Sequence, residues 1–270
     1  MKILLSNNDL NEALNNVSNL GFVPTMGSLH KGHISLIKKS VKECKKTIVS
    51  IFVNPTQFNN KSDFKNYPRN NKKDISILKR LNINFLYIPK VKDVYYLKRK
   101  PLIKLKKKDK ILCAKFRKGH FEGVIDVMDR LTKIINPQKI YLGEKDFQQL
   151  YLVDKYISKK YNTKIILCKT IRDNRKLVFS SRNKLLSKNE LKQARSISEE
   201  IFLFKKKLSK KRNIKNLIFQ KKKELIDSFN IKIDYLELRD ILNLKISNKT
   251  KNSKLFIAYY INKVRLIDNF

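Results

Sequence analysis

Three histidines occur in 270 residues, and two of them, His30 and His33, stand three apart in Gly21-Phe-Val-Pro-Thr-Met-Gly-Ser-Leu-His-Lys-Gly-His33. Gly21 to Thr25 read as the end of a buried strand and Met26 to His30 as a tight turn. After it, Ile34, Leu36, Ile37 and Val41 recur at helical spacing. Both imidazoles therefore sit where a strand hands over to a helix. In an open α/β sheet that is the carboxyl end of a strand, where ligands bind. The N–H groups opening the next helix favour an anion such as phosphate. A hydrogen-bonded structural histidine is the plain alternative, but the turn context and the concentration of so few histidines favour a site. A transition-metal pair is a third reading, yet no Cys, Asp or further His stands at ligand spacing nearby.

Two more strand exits carry polar groups. The apolar run Thr47-Ile-Val-Ser-Ile-Phe-Val53 has the character of a strand buried on both faces of a parallel sheet. It ends in Asn54-Pro-Thr-Gln57-Phe58, and amides at a strand exit can fix an oriented polar ligand through several hydrogen bonds. A simple Asn-Pro turn explains Asn54 and Pro55 but not Gln57. Lys139-Ile-Tyr-Leu142 reads as another strand, leaving through Gly143-Glu-Lys-Asp-Phe-Gln-Gln149. A further polar cluster is Ser180-Ser-Arg-Asn183.

The elements that must position these groups follow from periodicity. A first helix is expected over 8–20, capped by Asn8 or Asp9, with Leu10, Ala13, Leu14 and Val17 on one face. Tyr67-Pro-Arg69 precedes a helix bearing Asp74, Ile75, Leu78 and Leu81, and residues 84–88 form a strand stopped by Pro89. Residues 90–118 are basic and irregular and receive no assignment. Arg117-Lys-Gly-His120 opens a helix that Pro137 ends; helix 147–160 and strand Lys164–Cys168 follow. This alternation argues for an α/β fold, a doubly wound, parallel Rossmann-like sheet. Every proline and glycine lies at or before Gly143. A capping box at Ser187-Lys-Asn-Glu190, charged helices at 188–209 and 213–229, and strands near 233–238, 254–260 and 263–267 then suggest a smaller α+β C-terminal domain. Asn262-Lys263 would turn its hairpin. The expected division is 1–170 and 171–270.

The net charge of +39 raises the question of nucleic acid or an anionic membrane. The basic residues are spread over the whole chain beside abundant Asn and Ile, which AT-rich codon usage suffices to explain. The densest runs, Lys104–Lys108 and Lys205–Lys211, have no aromatics arranged as a stacking platform. No specific nucleic-acid partner and no membrane are expected: no apolar run approaches a membrane span, and no signal-peptide pattern opens the chain. Cys44, Cys113 and Cys168 are few and widely spaced, as in a reducing cytoplasm.

The His-x-Gly-His form is similar to that of nucleotidyltransferases whose imidazoles contact ATP phosphates. The wider pattern is more specific. Pro24 to His33, Ser50-Ile-Phe-Val-Asn-Pro-Thr-Gln-Phe58, Tyr67-Pro-Arg69, Arg117-Lys-Gly-His-Phe-Glu-Gly-Val124, Leu142 to Gln149, Ser180 to Asn183 and Val264 to Asn269 stand in one order. Together they resemble the family of pantothenate synthetases, ATP-dependent ligases that join pantoate to β-alanine. The resemblance implies that Gln57 and Gln149 hold pantoate, with Asn54 shaping the same pocket. It implies that Pro24, Thr25, Met26, Gly27, Gly143 and Glu144 border ATP, that His30 and His33 contact its phosphates, and that Lys145 meets a phosphate and Asp146 the ribose. Ser180, Ser181 and Arg182 match a loop that closes over the triphosphate, Asp74 a position linked to Mg²⁺, and Arg117 and His120 the rim of the site. A homodimer is implied as well. Another adenylyl- or cytidylyltransferase would share His30 and His33 but has no reason to carry Asn54, Gln57 and Gln149.

The chain departs from the family pattern at three places. Asp173-Asn-Arg-Lys-Leu-Val-Phe179 replaces a Gly-containing turn, Cys113-Ala-Lys-Phe116 replaces a Gly-rich segment, and Asp126 and Met128 replace smaller or apolar helix residues. The glycine lost from 173–179 is expected to stiffen or reshape that turn.

Overall fold

The computed structural model describes residues 1–59, 61–96, 103–208 and 213–270, with only the backbone of Lys61. Ser209, Lys210 and Lys211, which belong to the expected helix end and basic run, lie outside the described residues. The chain divides into two compact units, Met1–Thr170 and Ile171–Phe270.

The first unit runs β1 (Lys2–Leu4), α1 (Asn7–Leu14), β2 (Leu20–Thr25), α2 (Lys31–Glu43), β3 (Lys46–Ile51), α3 (Lys61–Lys65), α4 (Asn71–Arg80), β4 (Phe85–Tyr87), α5 (Val91–Val94), α6 (Cys113–Phe116), α7 (His120–Ile135), β5 (Lys139–Gly143), α8 (Phe147–Val153), α9 (Lys159–Tyr161) and β6 (Lys164–Cys168). Its six strands, in the order β1-β4-β3-β2-β5-β6, are parallel throughout. Phe22, Val23, Ile48, Val49, Leu86, Ile140 and Tyr141 are buried, as strands covered on both faces require. The Rossmann-like expectation holds.

Local differences have local causes. The first helix ends at Leu14 rather than at 20, because Asn16 and Asn19 take left-handed φ values of 61° and 51°. Its cap is Ser6, not Asn8 or Asp9. The Ser6 hydroxyl accepts from the Asp9 N–H at 3.2 Å and the Asp9 carboxylate accepts from the Ser6 N–H at 3.1 Å. β1, three residues long, was not expected; it pairs with β4 and is too short to leave a periodic signal. The helix expected over 147–160 is interrupted by a π-helical turn, Asp154–Ser158. There Lys155 and Tyr156 both reach buried Asp109, at 2.7 and 3.0 Å, which anchors part of the segment that periodicity left unassigned.

The second unit contains α10 (Lys188–Leu208), α11 (Ile214–Phe229) and an antiparallel sheet, β7 (Lys232–Asp240), β8 (Ser253–Ile261) and β9 (Val264–Asn269). The hairpin at Asn262-Lys263 forms as expected, with Asn262 at φ 50° between the paired residues Ile261 and Val264. Ala194, Ile197, Ile201, Leu225, Leu236, Leu255 and Ile257 lie in its core. The turn at 173–177 closes without glycine. Lys176 itself adopts φ 65°, and the Asp173 carboxylate accepts from the N–H groups of Arg175 and Leu177 at 2.9 and 3.0 Å. Arg195 holds the other Asp173 oxygen at 2.8 Å. The turn keeps its tightness, and Lys176 bears a backbone penalty of about 1–2 kcal/mol that glycine would not. In the first unit Leu112, at φ 47° just before α6, is strained likewise.

Among the described residues, no helix is long and apolar enough to cross a membrane.

Candidate active site

β2 is the pivot of the large sheet: β3 and then β4 lie to one side of it, β5 and then β6 to the other. Ligands of doubly wound sheets bind at such a reversal, beyond the carboxyl ends of the strands. The register makes the opening visible. β2 pairs with β3 along its full length, through Thr25 and Ile51, but its pairing with β5 stops at Phe22 and Ile140. Both strands continue beyond that point, to Thr25 and Gly143, so their last parts are no longer joined to one another. Pro24, in that stretch, brings no N–H to a ladder. The three expected motifs leave from these three neighbouring, parallel strands.

The turn after β2 is held from behind. The Thr25 hydroxyl donates to the Ser50 carbonyl at 2.7 Å and accepts from the Gly27 N–H at 3.1 Å. Gly27 has φ +76°, and a Cβ there would stand 3.0 Å from Asp74 Oδ2 and 3.1 Å from Ile51 Cγ2, so only glycine fits. The next two amides are taken by Asp74 on the first turn of α4. Its Oδ2 accepts from the Ser28 N–H at 2.7 Å and its Oδ1 from the Leu29 N–H at 2.8 Å. Asp74 is 2% exposed.

This geometry gives Asp74, the position expected to be linked to Mg²⁺, a structural duty of its own. Each of its carboxylate oxygens accepts one backbone amide, which ties the first turn of α4 to the turn after β2. Among the described residues no group of three or more His, Cys, Asp or Glu could hold a metal, which leaves the transition-metal reading of His30 and His33 without further ligands.

His30 caps α2. Its backbone is extended and its Nδ1 accepts from the Gly32 N–H at 3.2 Å, which leaves the ring proton on Nε2 in the neutral form. His33 stacks on it, ring centroids 4.0 Å apart.

After β3, Asn54 opens a single 3₁₀ turn, Pro55–Gln57. Its side chain is 1% exposed, and its Oδ1 accepts from the Thr56 N–H at 3.3 Å. Its Nδ2 donates to Gln57 Oε1 and to the Gly123 carbonyl, each at 3.2 Å. Gln57 Nε2 lies 2.8 Å from Met26 Sδ, so the β2 and β3 exits meet directly. Gly123 lets α7 approach this turn: a Cβ there would stand 2.4 Å from the Thr56 carbonyl oxygen. His120 sits one turn earlier on α7, with Nδ1 2.6 Å from the Gln57 carbonyl and Nε2 2.7 Å from Arg117 Nη1. A guanidinium can only donate, so Nε2 accepts and Nδ1–H donates to Gln57. Arg117 and His120 thus hold the Gln57 backbone, a structural duty that the Gly-His spacing alone did not disclose.

After β5, Gly143 leads into the 3₁₀ turn Glu144–Asp146 and then α8. Lys145, 19% exposed, pairs with Asp146 at 3.0 Å. Gln149 is half-buried on the first turn of α8, whereas Gln148 turns inward and donates to the Ile111 carbonyl at 2.7 Å. Ser180, Ser181 and Arg182 belong to the second unit. The Ser180 hydroxyl accepts from the Arg182 N–H at 3.3 Å and caps a 3₁₀ stretch, Ser181–Leu185.

Two residues of the site carried no recognised sequence signal. Tyr95 donates from its hydroxyl to Asn54 Oδ1 at 2.7 Å. Arg130 lies over the Tyr95 ring, 4.6 Å from its centroid, and Asp126 accepts from Arg130 Nε at 3.0 Å. Asp126, noted as a departure, is therefore half of a buried ion pair.

The chain matches the family described as Pantoate-beta-alanine ligase over residues 2–270. A pantothenate synthetase of Flavobacterium psychrophilum is 40% identical over 262 residues, covering 93% of this chain and 90% of the relative. One from Francisella tularensis subsp. novicida is 39% identical over 263 residues, covering 93% and 88%. The crystal structure of pantothenate synthetase from Thermus thermophilus superposes with a TM-score of 0.93 at 28% identity, covering 100% of this chain and 99% of that one. The Francisella tularensis pantoate-beta-alanine ligase complexed with beta-gamma ATP and beta-alanine gives 0.84 at 38% identity, covering 100% and 97%.

Proposed function

This chain belongs to the pantoate–β-alanine ligase family, and from that premise we propose which of its side chains carry the family's reaction. The reaction is the ATP-dependent condensation of pantoate with β-alanine to pantothenate, with AMP and pyrophosphate released. In the first half, an oxygen of pantoate's carboxylate attacks the α-phosphorus of ATP. The bond from that phosphorus to the bridging oxygen breaks, and pyrophosphate leaves with the electron pair. In the second, the neutral amine of β-alanine attacks the acyl carbon of pantoyl adenylate, the acyl–oxygen bond to AMP breaks, and the amine sheds a proton. No covalent nucleophile from the protein is needed, so its work is positioning and charge stabilisation.

His30, with its ring proton on Nε2, and His33 would meet the phosphates, bordered by Pro24, Thr25, Met26, Gly27, Gly143 and Glu144. Lys145 would exchange its Asp146 partner for phosphate oxygen, freeing Asp146 for the ribose. A part-exposed ion pair of this kind is worth about 1 kcal/mol or less, so the exchange is cheap. Gln57 and Gln149 would hold pantoate with Asn54 behind them. Ser180, Ser181 and Arg182 are the proposed triphosphate loop. Residues 1–170 act in this reading as the nucleotide- and pantoate-binding domain and 171–270 as a lid and dimer-side domain of a cytoplasmic homodimer. Mg²⁺ would enter as the counterion of the triphosphate.

The observation that carries the reading is the common origin of the His30/His33, Asn54/Gln57 and Lys145/Gln149 groups at three adjacent strand ends, where β2 and β5 part. The test is AMP formation from ATP, pantoate and β-alanine with each substrate omitted in turn. AMP should require both acids for turnover, and pyrophosphate should require pantoate. Pyrophosphate release that ignores pantoate, or accepts unrelated acids equally, would overturn it in favour of another nucleotidyltransferase.

A further inference from the structure

The hydrogen bonds around Asn54 have a direction. Three groups face its Oδ1: the Thr56 N–H at 3.3 Å, the Tyr95 hydroxyl, which donates at 2.7 Å, and the Thr56 hydroxyl at 3.1 Å, which also lies 2.9 Å from the Tyr95 oxygen and has a single proton to share between the two. Its Nδ2 faces two acceptors, the Gly123 carbonyl and Gln57 Oε1. Neither a backbone N–H nor a backbone carbonyl can exchange roles, so the Asn54 amide is pinned in one orientation. Gln57 inherits that orientation. With Oε1 occupied by Asn54, its outward end is Nε2, a pair of donors now resting against Met26 Sδ, a weak acceptor.

We infer that Tyr95, its ring held by the buried Asp126–Arg130 pair, is a positioning residue that presets Gln57 as a hydrogen-bond donor toward an oxygen acceptor of the acid substrate. The inference rests on the functional reading above. Tyr95 gives the shortest of the three contacts on Asn54 Oδ1, so it is the strongest constraint on the relay. Burial pushes its phenol above the ordinary tyrosine value, which keeps the hydroxyl protonated and able to donate at working pH. Arg130 and Asp126, 4% and 5% exposed, hold the ring without touching Asn54. The His120 bond to the Gln57 carbonyl fixes the same residue by its backbone, so only the side-chain direction is left for Tyr95 to set.

The test is Tyr95→Phe, which keeps the ring and its stacking on Arg130 and removes one hydroxyl. The pantoate KM should rise about 3- to 10-fold, the worth of one neutral hydrogen bond. kcat, the ATP KM and the melting temperature should stay within twofold or two degrees, roughly, of wild type. A merely structural tyrosine would shift the last three as well. In a Gln57→Ala background the same substitution should have no further effect on pantoate KM, because the relay has lost its outer end. An unchanged pantoate KM, or an effect that simply multiplies with that of Gln57→Ala, overturns the inference while leaving an active enzyme. A wild-type protein that makes no AMP from the three substrates overturns the functional reading, and the inference with it.

Discussion

Replacing Asp74 by asparagine separates two jobs for a buried carboxylate. The residue accepts the Ser28 and Leu29 N–H groups at 2.7 and 2.8 Å, and both of those residues are buried, at 1% and 4% exposure. Asparagine keeps the shape but turns one acceptor into a donor, so one amide loses its partner where water has no access. A hydrogen bond to a charged acceptor contributes about 1.5–3 kcal/mol, and a stranded buried donor costs about 1–3 kcal/mol. The overlap of those ranges gives a destabilisation of about 1.5–3 kcal/mol, or a melting point lower by roughly 3–12 °C for a chain of this size. The Ser28–Leu29 turn also leads straight into His30, so the ATP KM should rise. Urea unfolding, the ATP KM at saturating Mg²⁺ and a Mg²⁺ titration at fixed ATP together decide the matter. The half-saturating Mg²⁺ concentration should not move. An Asp74→Asn protein with wild-type stability but a Mg²⁺ requirement raised tenfold would refute the reasoning and assign Asp74 to the metal.

Lys145→Ala should cut adenylation about 10²- to 10³-fold, as removal of one charge-stabilising donor does, with unfolding unchanged; pre-steady-state pyrophosphate release measures it. Gly123→Ala should push α7 off the Pro55–Gln57 turn, because its methyl would stand 2.4 Å from the Thr56 oxygen. Overpacking against backbone costs about 1–3 kcal/mol, read by denaturation, and the pantoate KM should rise with it. Asp126→Ala would leave the Arg130 guanidinium buried without its carboxylate, at about 3–5 kcal/mol, and a variant as stable as wild type would mean that the pair contributes nothing.

Much of this protein was legible before any coordinates, for reasons that are local. Parallel strands buried on both faces must be apolar along their length, so β2, β3 and β5 announced themselves, and the polar residues that follow each could be read as strand exits. What stayed hidden depended on partners distant in sequence. β1 is too short to show a period and exists because β4 pairs with it. Asp109 looked like one more polar residue of an irregular stretch until the π turn brought Lys155 and Tyr156 onto it.

The same division runs through the site. Residue types and spacing determined that imidazoles, amides and a lysine leave three strand ends of one family's pattern. Only the tertiary structure decided what stands behind them. Asp74, 46 residues from Ser28, serves the turn's amides, and Tyr95, 41 residues from Asn54, sets the direction of an amide relay. A hydrogen bond depends on where two groups end up in space, and chain order does not record that.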